Sequence, residues 1–272
     1  MSATPDRAPA GPAPARDPTP NRDPDRNSVL SKAAAILEAF AADDRAVPLA
    51  ELVRRTGLHK ATVHRLAAEL VALRLLDRLP DGYRLSGTLF ELGMRASVER
   101  GLLELAMPFL QDLYERTHEI VHLGVREGTE VVYIAKIGGH RQARSPSRLG
   151  GRMPMHCTAI GKALLAYAGD GLRREVLAGP LPRRTPHTVV APGKLRRQLD
   201  AVLEAGVAFE HEESAVGLAC VAAPVLGPDD EPVAAISVAG PSPRFRPEAH
   251  VAAVRAAATA LGTVLARRDA LS

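Results

Sequence analysis

The sequence predicts an α+β fold in two parts: a winged helix-turn-helix, then helices leading into a domain built on an antiparallel sheet. Three observations predict it. Residues 49–66, LAELVRRTGLHKATVHRL, hold a short amphipathic helix broken at Gly57 and a second helix that starts almost at once. Pro80-Asp81-Gly82 is a turn signal between two short strand-like runs. From Ile120 onward, strand-like runs are followed by helical patterns and then by further strand-like runs, the order of an α+β domain.

Taken in chain order, residues 1–27 contain seven prolines and no Leu, Ile, Val or aromatic residue, so they are expected to be a disordered tail. Order is expected from Ser28, where Val29, Ala33, Ile36, Leu37 and Phe40 follow helical spacing. Pro48 suits a helix start, and Leu49, Leu52 and Val53 give that second helix a buried stripe. Gly57 supplies the left-handed backbone that ends it. A third helix is expected from about His59 to Leu73, with Val63, Leu66, Leu70 and Leu73 on its core face. Strands at Leu75–Leu79 and Tyr83–Leu85 then make a wing, closing a first domain over 28–87. Helical stretches at Thr88–Val98 and Leu102–His118, the second holding Pro108, are expected as a linker over 88–118.

The second domain, 119–272, opens with VHLGV and VVYIAKI, joined by a turn at Glu127-Gly128-Thr129. Helices are expected at 157–168 and 193–205, and strands at Val207–Phe209, Leu218–Leu226 and Pro232–Ala239. Gly227-Pro228-Asp229-Asp230 turns between the last two strands, and an Ala-rich helix over 247–268 closes the chain.

Composition narrows the classes. A chain of 272 residues with 46% apolar content can bury two cores, but with 3% aromatics Leu, Val and Ala must fill them. No run of about 18 apolar residues is present, so no membrane span is expected, and the start lacks an apolar signal core. Two cysteines make no disulfide framework, which points to the cytoplasm. A net charge of +4 permits an anionic partner without demanding one.

The helix-turn-helix carries Arg54, Arg55, Lys60 and Arg65 in twelve residues with no acid, beside Thr62 and His64. Arg78 and Arg84 lie on the wing. Lys and Arg neutralise phosphates, and Thr and His add hydrogen bonds, so the set suits double-stranded DNA. The same charges also fit a solvated helix face, given Glu51, Glu69, Asp77 and Asp81 nearby. Arg65 suits a bidentate contact to guanine or a phosphate contact equally.

In the second domain, the turn into a helix near Cys157–Gly161 offers backbone N–H groups at a positive dipole end, a seat for a carboxylate. Ser237 and a cysteine thiol add short polar contacts, and Met153, Ile160 and Leu149 an apolar wall. Cys220 and Ser237 equally fit plain strand packing. A Cys/His hydrolase at His156-Cys157 lacks an orienting third group, and AIGK lacks the long Gly-rich phosphate loop, so no catalytic residue is assigned. His118, His122, His140, His156 and His211 supply ligand types without a CxxC or HxxxH pair, so no metal is assigned. Cys157 at a helix start would need a lowered pKa to act as a thiol switch. A DNA-binding architectural protein without a ligand is the remaining alternative.

The chain resembles the IclR family of bacterial transcriptional regulators from Ser28 to the closing helix. The resemblance rests on SVLSKAAAILEAF, LAELVRRTGLHKATVHRLAAEL and DGYRLS in the first domain, and on GRMPMHCTAIGKALLA, FEHEESAVGLACVAAPV and EPVAAISVAGP in the second. It implies a winged helix, a linker helix and a GAF-like or profilin-like effector-binding domain, with no cofactor. It also implies a homodimer or homotetramer on partly palindromic operator DNA, repressing or activating a catabolic operon in response to a small organic acid or related metabolite. Met153, Ala159, Ile160 and Gly161 match the wall that offers N–H groups, and Glu210 stands where the family often has an acidic residue. Cys220 matches the family's strand cysteine and Ser237 the first of two serines. Ala239 replaces the second serine, and Glu210 is a methylene longer than the Asp of relatives, so ligand identity is left open.

Overall fold

The computed structural model describes residues 28–41, 43–93, 95, 97–138 and 145–269, with backbone alone for 97–100 and 269. The expected tail over 1–27 lies outside the described residues, as does His140. The chain divides into two units between Glu91 and Leu92.

In the first unit, α1 (Val29–Glu38) is capped by Ser28, whose hydroxyl accepts the Ser31 N–H at 3.0 Å. α2 (Leu49–Thr56) starts after Pro48 and ends at Gly57, where φ is +68° and the Gly57 N–H returns to the Val53 carbonyl at 2.9 Å. α3 (Lys60–Ala72) follows, then β1 (Leu76–Leu79) and β2 (Gly82–Leu85), paired antiparallel across the Pro80-Asp81 turn. The core joins Ile36, Leu52, Val63, Leu66, Leu70, Leu76 and Tyr83. Leu73 corrects the expected stripe: it is 66% exposed because the helix has ended there, and Ala67 takes a core place instead. The wing also has a third, one-residue member. Val47 exchanges both backbone hydrogen bonds with Tyr83, at 2.7 and 2.9 Å.

α4 (Gly87–Gly93) and α5 (Ser97–Thr117) occupy most of the expected linker. α5 runs through Pro108 and buries Leu102, Ala106, Leu110 and Leu113 in the core of the second unit. Much of that stretch is therefore a core helix.

The second unit continues with β3 (Ile120–Glu127), β4 (Glu130–Ile137) and the short β5 (Arg152–Pro154). A 3-10 turn at Met155–Cys157 leads into α6 (Ala159–Tyr167), then α7 (Asp170–Ala178) and α8 (Pro192–Ala205). β6 (Ala208–His211), β7 (Leu218–Leu226), β8 (Pro232–Pro241) and α9 (Val251–Asp269) complete it. The strands form one antiparallel sheet in the order β5-β4-β3-β8-β7-β6. β5 and α7 have no counterpart among the elements expected from periodicity.

One face of the sheet packs on α6 and α8, the other on α5 and α9. Burial on both faces is why β7 and β8 read as continuous small apolar runs rather than as an alternation. Their pleat still sorts the side chains: Ala235 and Ala239 enter the core under α6, Ile236 and Val238 the core under α9. One segment corrects the expectation that nothing is long and apolar enough to span a membrane. Pro247–Arg268 is, with a mean hydropathy of 1.4, because its many alanines and valines raise the average. It packs Val254, Ala258 and Leu261 into the core against the sheet, which accounts for the apolar residues it buries.

Candidate DNA interface and effector cavity

In the first unit, α3 is held by its buried stripe and so turns Lys60, His64 and Arg65 to the surface, with Thr62 half-buried at the edge. Arg65 reaches Glu69 one turn later at 2.5 Å. Both are exposed, so the pair contributes little to stability, and the guanidinium can exchange it for another anion at small cost. Arg54 lies on α2 with its guanidinium forked onto Glu51, at 2.6 and 2.7 Å. The guanidinium of Arg54 first, then that of Arg55, hold the Glu51 carboxyl down to about 2. Arg55 is also committed to Asp44 and to the Ala39 carbonyl, which ties α2 to the end of α1.

The wing separates its two arginines. Arg78 lies 4.4 Å from the Tyr83 ring centroid and covers that buried ring. Arg84 is on the opposite side of the pleat, exposed, with Asp77 at 2.9 Å. All seven basic or polar residues expected at DNA thus lie on α2, α3 or the wing. Arg78 is the one turned toward the core side of the hairpin.

In the second unit, the segment before α6 is shaped by Pro154, the 3-10 turn and the cap Thr158, whose hydroxyl accepts the Gly161 N–H at 3.0 Å. α6 is laid across the sheet with Gly161 against the turn: a Cβ there would come within 2.3 Å of the Met155 carbonyl oxygen. Between this helix start and the sheet lies a narrow cavity of about 20 Å³. Of the eight residues expected at an effector, Met153, Ala159, Ile160, Glu210, Cys220 and Ser237 line it. Leu149 and Gly161 do not. Leu149 is 68% exposed in the loop before β5, and the Gly161 N–H is already satisfied by Thr158.

The sequence reading missed most of the cavity's polar groups. His122 on β3 faces it, with Nε2 2.7 Å from the Ser147 hydroxyl and Nδ1 3.4 Å from that of Ser237. Ser145 extends this chain to Ser147 at 2.5 Å. Burial, with Lys136 nearby, pushes the imidazole down to about 3, so it is neutral and one ring nitrogen donates while the other accepts. Tyr133 packs edge-on against His122 with centroids 5.1 Å apart. The only sequence signal for His122 was a polar residue inside an otherwise apolar strand.

Glu210 is buried opposite. One of its oxygens accepts the N–H groups of Glu213 and Ser214 at 2.7 and 3.0 Å. Burial pushes its carboxyl up to about 7. Behind α6, Lys162 is 1% exposed and paired with Glu213, and its ammonium also donates to the Phe209 carbonyl at 3.3 Å. Lys162 is therefore a core ion pair and not a phosphate ligand.

The other chemistries weighed from sequence separate cleanly. His156 bonds the Pro182 carbonyl at 3.1 Å and the Cys157 thiol points to the Pro154 carbonyl at 3.8 Å, so the two form no dyad. Burial pushes the Cys157 thiol up to about 12, which corrects the thought of a lowered pKa at the helix start. Cys220 is raised too, again by burial. Among the described residues no three His, Cys, Asp or Glu side chains gather as a metal site.

Known proteins match both units. A family model described as the IclR helix-turn-helix domain matches residues 29–80, and one described as the C-terminal part of the bacterial transcriptional regulator IclR matches 94–263. The chain is 32% identical over 255 residues to the HTH-type transcriptional regulator KdgR of Escherichia coli, covering 92% of this chain and 97% of that one. It is 34% identical over 212 residues to the regulator XynR of the same organism, covering 77% and 84%. Among solved structures it is similar to an IclR homolog from Microbacterium hydrocarbonoxydans complexed with 4-hydroxybenzoate: TM-score 0.80, 33% identity, 88% of this chain and 99% of that one. With both units matched in order and each element in place, the chain belongs to the IclR family of bacterial transcriptional regulators.

Proposed function

We propose that this regulator binds operator DNA through α3 and the wing and releases or retains it according to a small organic acid held in the cavity of the second unit. The observation that carries the reading is that one chain holds both parts. It has a helix-turn-helix with a basic exposed face, and a buried cavity with hydroxyl, imidazole and carboxyl groups on apolar walls. The 4-hydroxybenzoate bound by the Microbacterium hydrocarbonoxydans homolog supports an organic acid as ligand class. The regulated genes are a catabolic operon, the protein acts in the cytoplasm, and it has no enzymatic activity of its own.

Arg54, Lys60, Thr62, His64, Arg65 and Arg84 contact DNA, with Arg78 at the edge of the footprint. A homodimer, or a tetramer built from two, reads two half-sites about 34–36 Å apart. The acid must bind one arrangement of the DNA-binding heads better than another, since equal affinity shifts nothing.

Gel-shift titration of the full chain on DNA flanking its own gene tests the reading. Arg65→Ala should weaken binding about tenfold or more while leaving the melting curve unchanged; unchanged affinity removes α3 as the recognition helix. Cys220→Ala with Ser237→Ala should leave DNA binding intact and abolish the response to a panel of aromatic and aliphatic carboxylic acids. If no acid alters operator affinity in the unmutated protein, the ligand class is wrong.

A further inference from the structure

The positive charge of the chain is concentrated outside the helix-turn-helix. Residues 28–91 carry nine Lys and Arg against eight Asp and Glu, a formal excess of one. Residues 170–200, which span α7, the loop after it and most of α8, carry seven against three. That excess of four equals the net charge of the whole chain.

Six of these seven cations are free to meet an anion. Arg174, Arg183, Arg184, Lys194, Arg196 and Arg197 are exposed, and among the described residues none of them forms an ion pair. Arg174 and Arg183 donate to backbone carbonyls only, those of Asp170 and Pro186. Arg173 alone is neutralised, by Asp200 at 3.0 Å. In the first unit, by contrast, Arg54, Arg55, Arg65 and Arg84 each already hold a carboxylate.

The fold gathers them. The Arg173–Asp200 pair joins α7 to α8, Arg174 is next in the chain, and Arg196 lies one turn before Asp200. Leu195, Leu199 and Val202 fix the buried side of α8, which leaves Arg196 and Arg197 on its outer half. Arg183 and Arg184 belong to a turn closed by Thr188, whose hydroxyl accepts the Arg184 N–H at 3.0 Å. Thr188 is three residues before the Ala191 cap of α8.

Local stability does not call for these cations. Lys194, Arg196 and Arg197 occupy the first two turns of α8, which hold no acid. The helix dipole disfavours positive charge there, and the three also repel one another. A polyanion outside the unit relieves both costs. Duplex DNA, with one negative charge per about 1.7 Å of its axis, is the densest such partner. Six of the seven cations are arginines, whose planar fork matches phosphate. The segment has no Phe, Tyr or Trp on which unpaired bases could stack.

We propose that the α7–α8 face of the second unit is a second DNA surface, which holds the phosphate backbone of duplex DNA without reading its sequence. The inference takes from the proposed function that the chain binds DNA, and adds where a further, sequence-independent contact is made.

Anisotropy titration of the full chain over a range of salt concentrations tests it. One duplex is the operator alone, about 25 bp, long enough for two half-sites. The other is the same operator extended to about 100 bp by unrelated sequence. Log affinity should fall with log salt more steeply on the long duplex, the slopes differing by about two or more, at about 0.9 per phosphate engaged. Lys194→Glu, Arg196→Glu and Arg197→Glu together should remove most of that difference and weaken long-duplex binding about tenfold. Short-duplex affinity should be unchanged and the melting point no lower, since acids suit a helix start. Arg183→Gln with Arg184→Gln, outside any helix, should give a smaller loss of the same kind. Equal slopes on the two duplexes for the unmutated protein overturn the inference. So does an equal loss on both duplexes in the triple variant, the mark of a general field. A triple variant that keeps both affinities but loses transcription with purified polymerase also overturns it, in favour of an acidic protein on this face. Arg65→Ala keeps the two readings apart: it should weaken both duplexes and leave the slope difference in place. Failure of the unmutated protein to bind the short duplex at all removes the DNA-binding reading itself.

Discussion

Burial works on Glu210 and His122 in opposite senses, and the pH dependence of stability should show it. The Glu210 carboxyl is raised from 4.5 to about 7, chiefly by burial. Between those values the folded state keeps a proton that the unfolded state has lost. Its contribution to stability, fully present below about 4.5, is therefore lost as pH rises to about 7. The His122 ring is lowered from 6.5 to about 3, again chiefly by burial. There the unfolded state holds the extra proton, so its contribution is present above about 6.5 and lost as pH falls toward 3. Each shift is worth a few kcal/mol, and the two nearly offset between pH 4.5 and 6.5. Glu210→Gln should leave a second unit that gains stability as pH rises through that window, and His122→Asn one that loses it. Urea unfolding at pH 5, 6 and 7 checks this. Parallel pH curves for the two variants would refute the opposed pair.

At the scale of elements, the first unit depends on a contact that no helical or strand pattern announces. Gly82 closes the wing turn with φ of +155°, and a Cβ there would lie 2.4 Å from the Val47 carbonyl oxygen. That close approach lets Val47 pair with Tyr83 and joins the wing to the entry of α2. Gly82→Ala should cost roughly 1–3 kcal/mol by overpacking and weaken DNA binding through the wing. Chemical denaturation and a gel shift measure the two effects, and an unchanged midpoint would remove the contact from the account. The example also shows what the sequence conceals. Helices with an apolar stripe, such as α2, α3 and α8, and strands with β-branched runs, such as β4, were legible because their residues repeat at the period of the element. β5 and the Val47 pairing are too short to have a period. The cavity was half legible: Glu210 came from a resemblance to a family, and Met153 and Ser237 from that resemblance together with their own chemistry. His122, Ser145, Ser147 and Tyr133 become neighbours only when β3, β4 and the segment before β5 meet in the sheet. Leu149 sits close in sequence to that segment yet points to solvent, an error that local pattern cannot correct.

At the scale of the whole molecule, the cores of the two units share no residue, so heat should unfold them in two steps. At about 0.7 kcal/mol per residue, residues 28–91 should absorb roughly 45 kcal/mol and residues 92–269 roughly 125 kcal/mol, so calorimetric peaks are assignable by area. Variants then label the peaks. Gly82→Ala should lower only the smaller, by about 4–8 °C per kcal/mol lost, as befits a unit of that size. Lys162→Met should lower only the larger. It strands the Glu213 carboxylate in the core, where one oxygen already lacks a hydrogen-bond partner among the described residues. Breaking a buried pair from one side costs roughly 3–5 kcal/mol, a fall of about 6–20 °C for a unit of this length. Adding Glu213→Leu removes the stranded charge, and most of that fall should be recovered, because the cost lies in the unpaired ion and not in the loss of attraction. A single transition that moves with both variants would mean that the units unfold as one. In that case an acid bound in the second unit would raise the melting point of the first, and the signal would reach α3 through shared stability as well as through geometry.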